Sequence, residues 1–98
     1  MIDINILKEH IDNLKEGQRI ELKNINRETC TDILKTRHGF MVGFHEPDHP
    51  YNGLVNISNA IVKVENETSL TITCDTIDNV YNSVTIFNYN FVCLEVIG

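Results

Sequence analysis

Three imidazoles and two carboxylates fall within twelve residues of this chain: His38, His45, Glu46, Asp48 and His49. Borderline divalent metals accept nitrogen and oxygen ligands in such combinations. The tightest set is His45, Asp48 and His49, so a divalent metal is the one cofactor the sequence offers. Its spacing guarantees no geometry. His45 and His49 stand four apart, which converges on a helix, but Pro47 and Pro50 break helices. His38 and His45 stand seven apart across an expected strand and so point to opposite faces. An exposed polar loop that binds no cofactor is the plainer expectation. Arg37 and His38 at an expected turn, with His49, Tyr51 and Tyr81 in expected loops, are the candidates for contact with a ligand or partner. Exposed tyrosine and arginine are the residue types that anchor recognition patches.

Nucleophilic chemistry has less to work with. Cys30, Cys74 and Cys93 each lie in or beside an apolar stretch, where thiols are usually inert core groups. They are odd in number and contain no CxxC pair, the pattern of reduced thiols in a cytoplasmic protein. No glycine-rich phosphate loop, GxSxG elbow or nucleotide fingerprint is present. The chain is expected not to be an enzyme.

The elements that would position these residues can be read from periodicity. Ile4, Leu7, Ile11 and Leu14 share one helical stripe, Asp3 can cap it and Gly17 can stop it, which predicts a helix from about 4 to 16. From Gly17 onward the period changes to two. Strands are expected over 18–25, 31–36, 40–45, 54–65, 69–74, 83–88 and 91–97. Arg37-His38-Gly39 reads as a hairpin turn in which glycine takes a positive φ. The fold class is therefore mainly β (α+β). The N-terminal helix leads into a six- to seven-stranded antiparallel small barrel or strongly curved sheet, and residues 1–98 form a single domain with its β-rich body over about 18–97. The last strand, Phe91-Val92-Cys93-Leu94-Glu95-Val96-Ile97, is apolar on both faces. Such a strand is either central or pairs with another subunit, and Phe91, Cys93, Leu94 and Val96 are its candidate contacts.

A helix leading into Gly17-Gln18-Arg19-Ile20-Glu21-Leu22-Lys23-Asn24 resembles the start of the Sm-like barrel. The closing run from Val84 to Ile97 is similar to that family's final strand pair. The resemblance covers about a third of the 98 residues. It implies barrel architecture, and the family's function would make the chain an RNA binder. The glycine, aspartate and asparagine pattern of that family's nucleic-acid loop is missing from the middle of the chain.

Composition narrows the classes further. The formal charge is −6, and residues 38–98 hold only Lys63 against seven acids. Backbone-dominated nucleic-acid binding needs a basic stripe, so nucleic acid is not the expected partner. No apolar run approaches the roughly 18 residues a membrane span needs, and the mixed start MIDINILKEHIDNL is unlike a secretory leader. Thirteen Ile and twelve Asn against a single Ala suggest an AT-rich genome, that of a low-GC bacterium or one of its phages. Together these features predict a cytoplasmic, non-enzymatic module that forms a homo-oligomer and binds a partner protein; blocking a host protein would be a natural role for a phage product. A small-molecule binder that sequesters a nucleotide, with Arg19, Arg27 and Arg37 on its phosphates, is the alternative from another class. An Sm-like RNA binder and a metal-dependent hydrolase complete the set.

Overall fold

The computed structural model describes residues 1–45, 52–74, 83–89 and 91–98. Helix α1 runs from Ile4 to Asp12. The Asp3 carboxylate accepts from the backbone N–H groups of Asn5 and Ile6 at 2.9 and 3.1 Å, which satisfies two of the donors a helix start leaves open. The helix ends four residues before the expected stop. Asn13 caps it, donating its N–H to the Glu9 carbonyl, and a tighter turn, closed by the Leu14 N–H on the Ile11 carbonyl, carries Leu14 onto the same buried stripe. Gly17 still matters: its φ of 87° turns the chain into the first strand, and its N–H donates to the Lys35 carbonyl at 2.9 Å.

Eight strands follow among the described residues: β1 (Arg19–Lys23), β2 (Thr29–Lys35), β3 (Gly39–His45), β4 (Asn52–Ser58), β5 (Ala60–Asn66), β6 (Ser69–Cys74), β7 (Ser83–Phe87) and β8 (Cys93–Ile97). They form two antiparallel sheets, one of five strands in the order β4-β3-β2-β1-β8 and one of three in the order β5-β6-β7. The mainly β class with an N-terminal helix is thus observed, but the strands are divided between two sheets and do not close into one barrel.

The extra strand has a local cause. The stretch expected as one strand over 54–65 is cut at Asn59, whose φ is 50°. Asparagine adopts this left-handed conformation more readily than most residues. The Asn59 N–H donates to the His38 carbonyl at 2.6 Å, and the chain passes there from the five-stranded sheet to the three-stranded one. Gly39 makes the bend sterically feasible. It does not take a positive φ and is the first residue of β3. A Cβ there would lie 1.8 Å from the Ile57 carbonyl oxygen, so only glycine allows that approach.

The bend folds the two sheets over one core. Ile20, Leu22, Ile33, Val42 and Ile57 face inward from the larger sheet, and Leu70, Ile72, Val84 and Ile86 from the smaller. Helix α1 packs over β5 and β6. Ile4, Leu7 and Ile11 are each 2% exposed or less, and each stabilises the fold by about 1.5–3 kcal/mol through burial. Asn88, buried after β7, ties the helix entry down: its Nδ2 donates to the carbonyls of Ile2 and Glu67 at 2.8 and 3.2 Å.

Gly39→Ala tests the corner. It is expected to destabilise the fold by about 3 kcal/mol, at the upper end for overpacking, because the obstacle is backbone and not a movable side chain. Urea denaturation measures this. A loss below about 1 kcal/mol would mean that the end of β4 can move away from Gly39 at little cost.

Candidate functional site

The core-facing residues of the five-stranded sheet alternate with residues on its outer face. Strand register places Asp32, Glu21 and Glu95 side by side on that outer face, on β2, β1 and β8. Like charges directly opposite one another destabilise a sheet unless they are neutralised. Arg19 and Lys23, two residues along β1 on either side, supply the counter-charge. The Arg19 guanidinium donates to Glu21 Oε1 at 3.2 Å. Lys23 Nζ lies 2.8 Å from Glu95 and 3.6 Å from Glu21, so one ammonium serves two carboxylates.

That geometry sets two proton affinities. The hydrogen bond from Lys23 holds the Glu95 carboxyl below its ordinary value, helped by the ammonium charge. The same bond raises the Lys23 ammonium, against partial desolvation. The signs follow directly. The contribution of Glu95 is present above the ordinary carboxylate range and is lost as pH falls through its lowered value. That of Lys23 is present below the ordinary lysine range and is lost as pH rises through its raised value.

Asp32 has a different partner. Its Oδ2 lies 2.8 Å from His45 Nε2. The approach depends on Gly43, which faces Asp32 across β2 and β3; a Cβ on Gly43 would stand 2.8 Å from Asp32 Oδ1. Of the expected metal cluster, His45 is thus paired with a carboxylate outside that cluster. His38 lies in the turn before β3 and His45 at its far end, separated by roughly 23 Å of strand. The structure therefore does not bring them together. Glu46, Asp48 and His49 lie outside the described residues, as do Tyr51 and Tyr81. Among the described residues no group of three His, Cys, Asp or Glu side chains could hold a metal ion.

The expected cationic contacts are likewise dispersed. Arg37 and His38 are exposed at the β2–β3 turn. Arg27, with a φ of 62°, lies in the β1–β2 turn at the opposite end of β2, so Arg27 and Arg37 do not converge on one phosphate.

The terminal strand shows the most informative placement. β8 is apolar on both faces, yet it is the outermost strand of its sheet and no strand lies beyond it among the described residues. Of the four candidate contacts, Phe91 is buried in the chain's own core, Cys93 and Leu94 are half-buried, and Val96 is 47% exposed. Beside β8 lies an apolar patch that periodicity did not reveal. Ile25 is 81% exposed, and Val92 and Tyr89 are exposed too. With Asn24 and Cys30 they line a shallow cleft of about 410 Å³. The Tyr89 ring stacks on Phe87 at a centroid distance of 5.4 Å. A second cleft, sharing Asn24, Ile25 and Val92, is lined by Lys23, Arg27, Cys93 and Glu95. The signal that could have found the patch is Ile25 itself, an isolated apolar residue in Asn24-Ile25-Asn26-Arg27, a run otherwise made for a turn. Burial pushes the Cys30 thiol up, against hydrogen bonds from Asn24, which suits a packed group and not a nucleophile.

No helix among the described residues is long and apolar enough to cross a membrane. The chain matches no protein-family model, no curated protein and no solved structure.

Two substitutions probe the outer face. Lys23→Met is expected to raise the protonation midpoint of Glu95, followed by NMR of its side-chain carboxyl; an unmoved midpoint would remove Lys23 as the cause. Gly43→Ala is expected to part Asp32 from His45, visible in the His45 ring nitrogen shifts. The stability cost stays below about 1 kcal/mol, because a flexible carboxylate and not backbone must give way. A large fall in the urea midpoint would contradict that.

Proposed function

We propose that this chain is a non-enzymatic interaction module whose β8 edge accepts a strand of another polypeptide. One observation carries the reading: a strand apolar on both faces is the outermost of its sheet among the described residues. An outermost strand presents unpaired backbone donors and acceptors, a template that another chain can extend. Natural edges are commonly blunted by proline, lysine or a bulge. β8 has no proline, lysine or bulge, and Glu95 is the one charge that guards it. The neighbouring Ile25, Tyr89 and Val92 extend the apolar area beyond the strand, and tyrosine with a nearby arginine is typical of interface anchors.

The exposed Phe87–Tyr89 stack favours a second reading, a small-molecule binder with a planar group held in the cleft at Tyr89. Native mass spectrometry of untagged protein purified without chelator separates the two. A retained mass of nucleotide or metal size would support the ligand binder, and a clean polypeptide mass or complex the interaction module.

Val96→Asp places a charge on the β8 edge at a position already 47% exposed, so the fold is expected to survive. Partner proteins captured by the wild-type chain from its native lysate should fall at least about tenfold with this variant, as when an apolar anchor is lost at a hot spot. Undiminished capture by the folded variant would sink the β8 reading.

A further inference from the structure

The chemistry of the strand that β8 accepts can be read from the row of charges it would extend. On the outer face the row runs Asp32, Glu21, Glu95, and ends at β8. Asp32 is held by His45, while Arg19 and Lys23 serve Glu21, and Glu95 shares Lys23 with Glu21 and feels Arg27 only through its charge. The Glu95 side chain remains 51% exposed, on the strand that is outermost among the described residues. A strand added there would set one outward residue directly opposite Glu95, where a cation is favoured and a carboxylate penalised. Its two neighbours would face inward, opposite Leu94 and Val96, where apolar side chains continue the core face.

We infer that the β8 edge selects a partner strand of the pattern apolar–basic–apolar, with lysine or arginine opposite Glu95. This rests on the strand-addition reading above and adds the sequence rule to it. A second copy of this chain is a poor occupant by the same argument. Antiparallel pairing of β8 with itself about Glu95 opposes two carboxylates. Slipping by two residues opposes Glu95 to Cys93 or Ile97, neither of which is a cation. The net charge of −6 adds a general repulsion between copies.

The test uses three capped peptides with the core Thr-Val-X-Val-Thr, where X is Lys, Gln or Glu, titrated into the ¹⁵N-labelled full chain. Amide shifts are expected to move along β8 and β1. The Lys peptide should bind about fivefold tighter than the Glu peptide, the swing expected of one cross-strand charge pair. Glu95→Lys, checked for folding by circular dichroism, should invert that order. If all three peptides move the β8 amides with equal affinity, the charge rule is overturned while strand addition stands. If none moves them, both fall. If sedimentation shows a dimer that Val96→Asp dissolves, a second copy occupies β8 and the proposal is overturned.

Discussion

The approach of the Ile57 carbonyl to Gly39 governs the architecture. β4 and β5 are nearly continuous in sequence, yet they belong to different sheets, so the backbone must turn sharply between Ser58 and Ala60. Two groups make this turn feasible from opposite sides. Asn59 takes the left-handed conformation and donates to the His38 carbonyl, while Gly39 leaves the space into which the Ile57 backbone moves. With the corner in place, Ile57 from one sheet and Leu70 and Ile72 from the other share one core, which α1 covers from the side of β5 and β6. If the corner opened, the inward faces of both sheets would meet water, which is why the cost of a single methyl group there propagates through the fold.

A sheet pair joined by one continuous bend does not thereby close its far side. The larger sheet ends at β8 and the smaller at β7. The inward side chains of β8 consequently lose cover toward the edge: Leu22 and Ile20 on β1 are fully buried, whereas their cross-strand neighbours Leu94 and Val96 are half-buried and exposed. The edge that supports partner binding is therefore a consequence of the same corner that builds the core.

Much of this was legible in the sequence, and the parts that were not share a cause. The helical stripe through Ile4, Leu7, Ile11 and Leu14 and the alternation in β1 and β6 are local patterns, and the structure has both. The expectation of six to seven strands in a small barrel or strongly curved sheet fell short at Asn59: the 54–65 stretch has no proline or glycine at the bend, and its one local sign is the polar pair Ser58-Asn59, after which the apolar positions change phase from Val55 and Ile57 to Ala60, Val62 and Val64. The bend itself is fixed by the Asn59 N–H on the His38 carbonyl and by the room left at Gly39, some twenty residues earlier, and those contacts no local pattern encodes. Gly39 was recognisable as special but for the wrong reason, since a turn glycine and a close-approach glycine look alike in sequence. β8 was recognisable as apolar on both faces, but whether it was central or outermost depended on long-range pairing. The Asp32–His45 contact was hidden for the same reason, as it needs the β2–β3 register and the gap at Gly43. The remainder of the histidine-rich loop lies outside the described residues.

Charge placement links the edge to the rest of the sheet. Read along the chain, residues 38–98 carry the whole of the −6 charge and residues 1–37 are neutral. Read across the strands, Glu95 from the acidic part sits beside Lys23 from the neutral part, and Lys23 is also held by Glu21 of its own strand. The ammonium therefore cannot be given wholly to Glu95 without leaving Glu21 to Arg19 and Thr29 alone. This shared cation favours the ionised form of Glu95 while dividing its contacts between two carboxylates. An exposed edge needs some device against indiscriminate pairing, and a charge on the edge is a common one. A fully neutralised Glu95 would discriminate weakly between incoming strands, and an unpaired one would burden the isolated fold. Divided compensation lies between these limits: the carboxylate is tolerated in the free chain, repels its own copy, and retains an attraction for a cation arriving on a neighbouring strand.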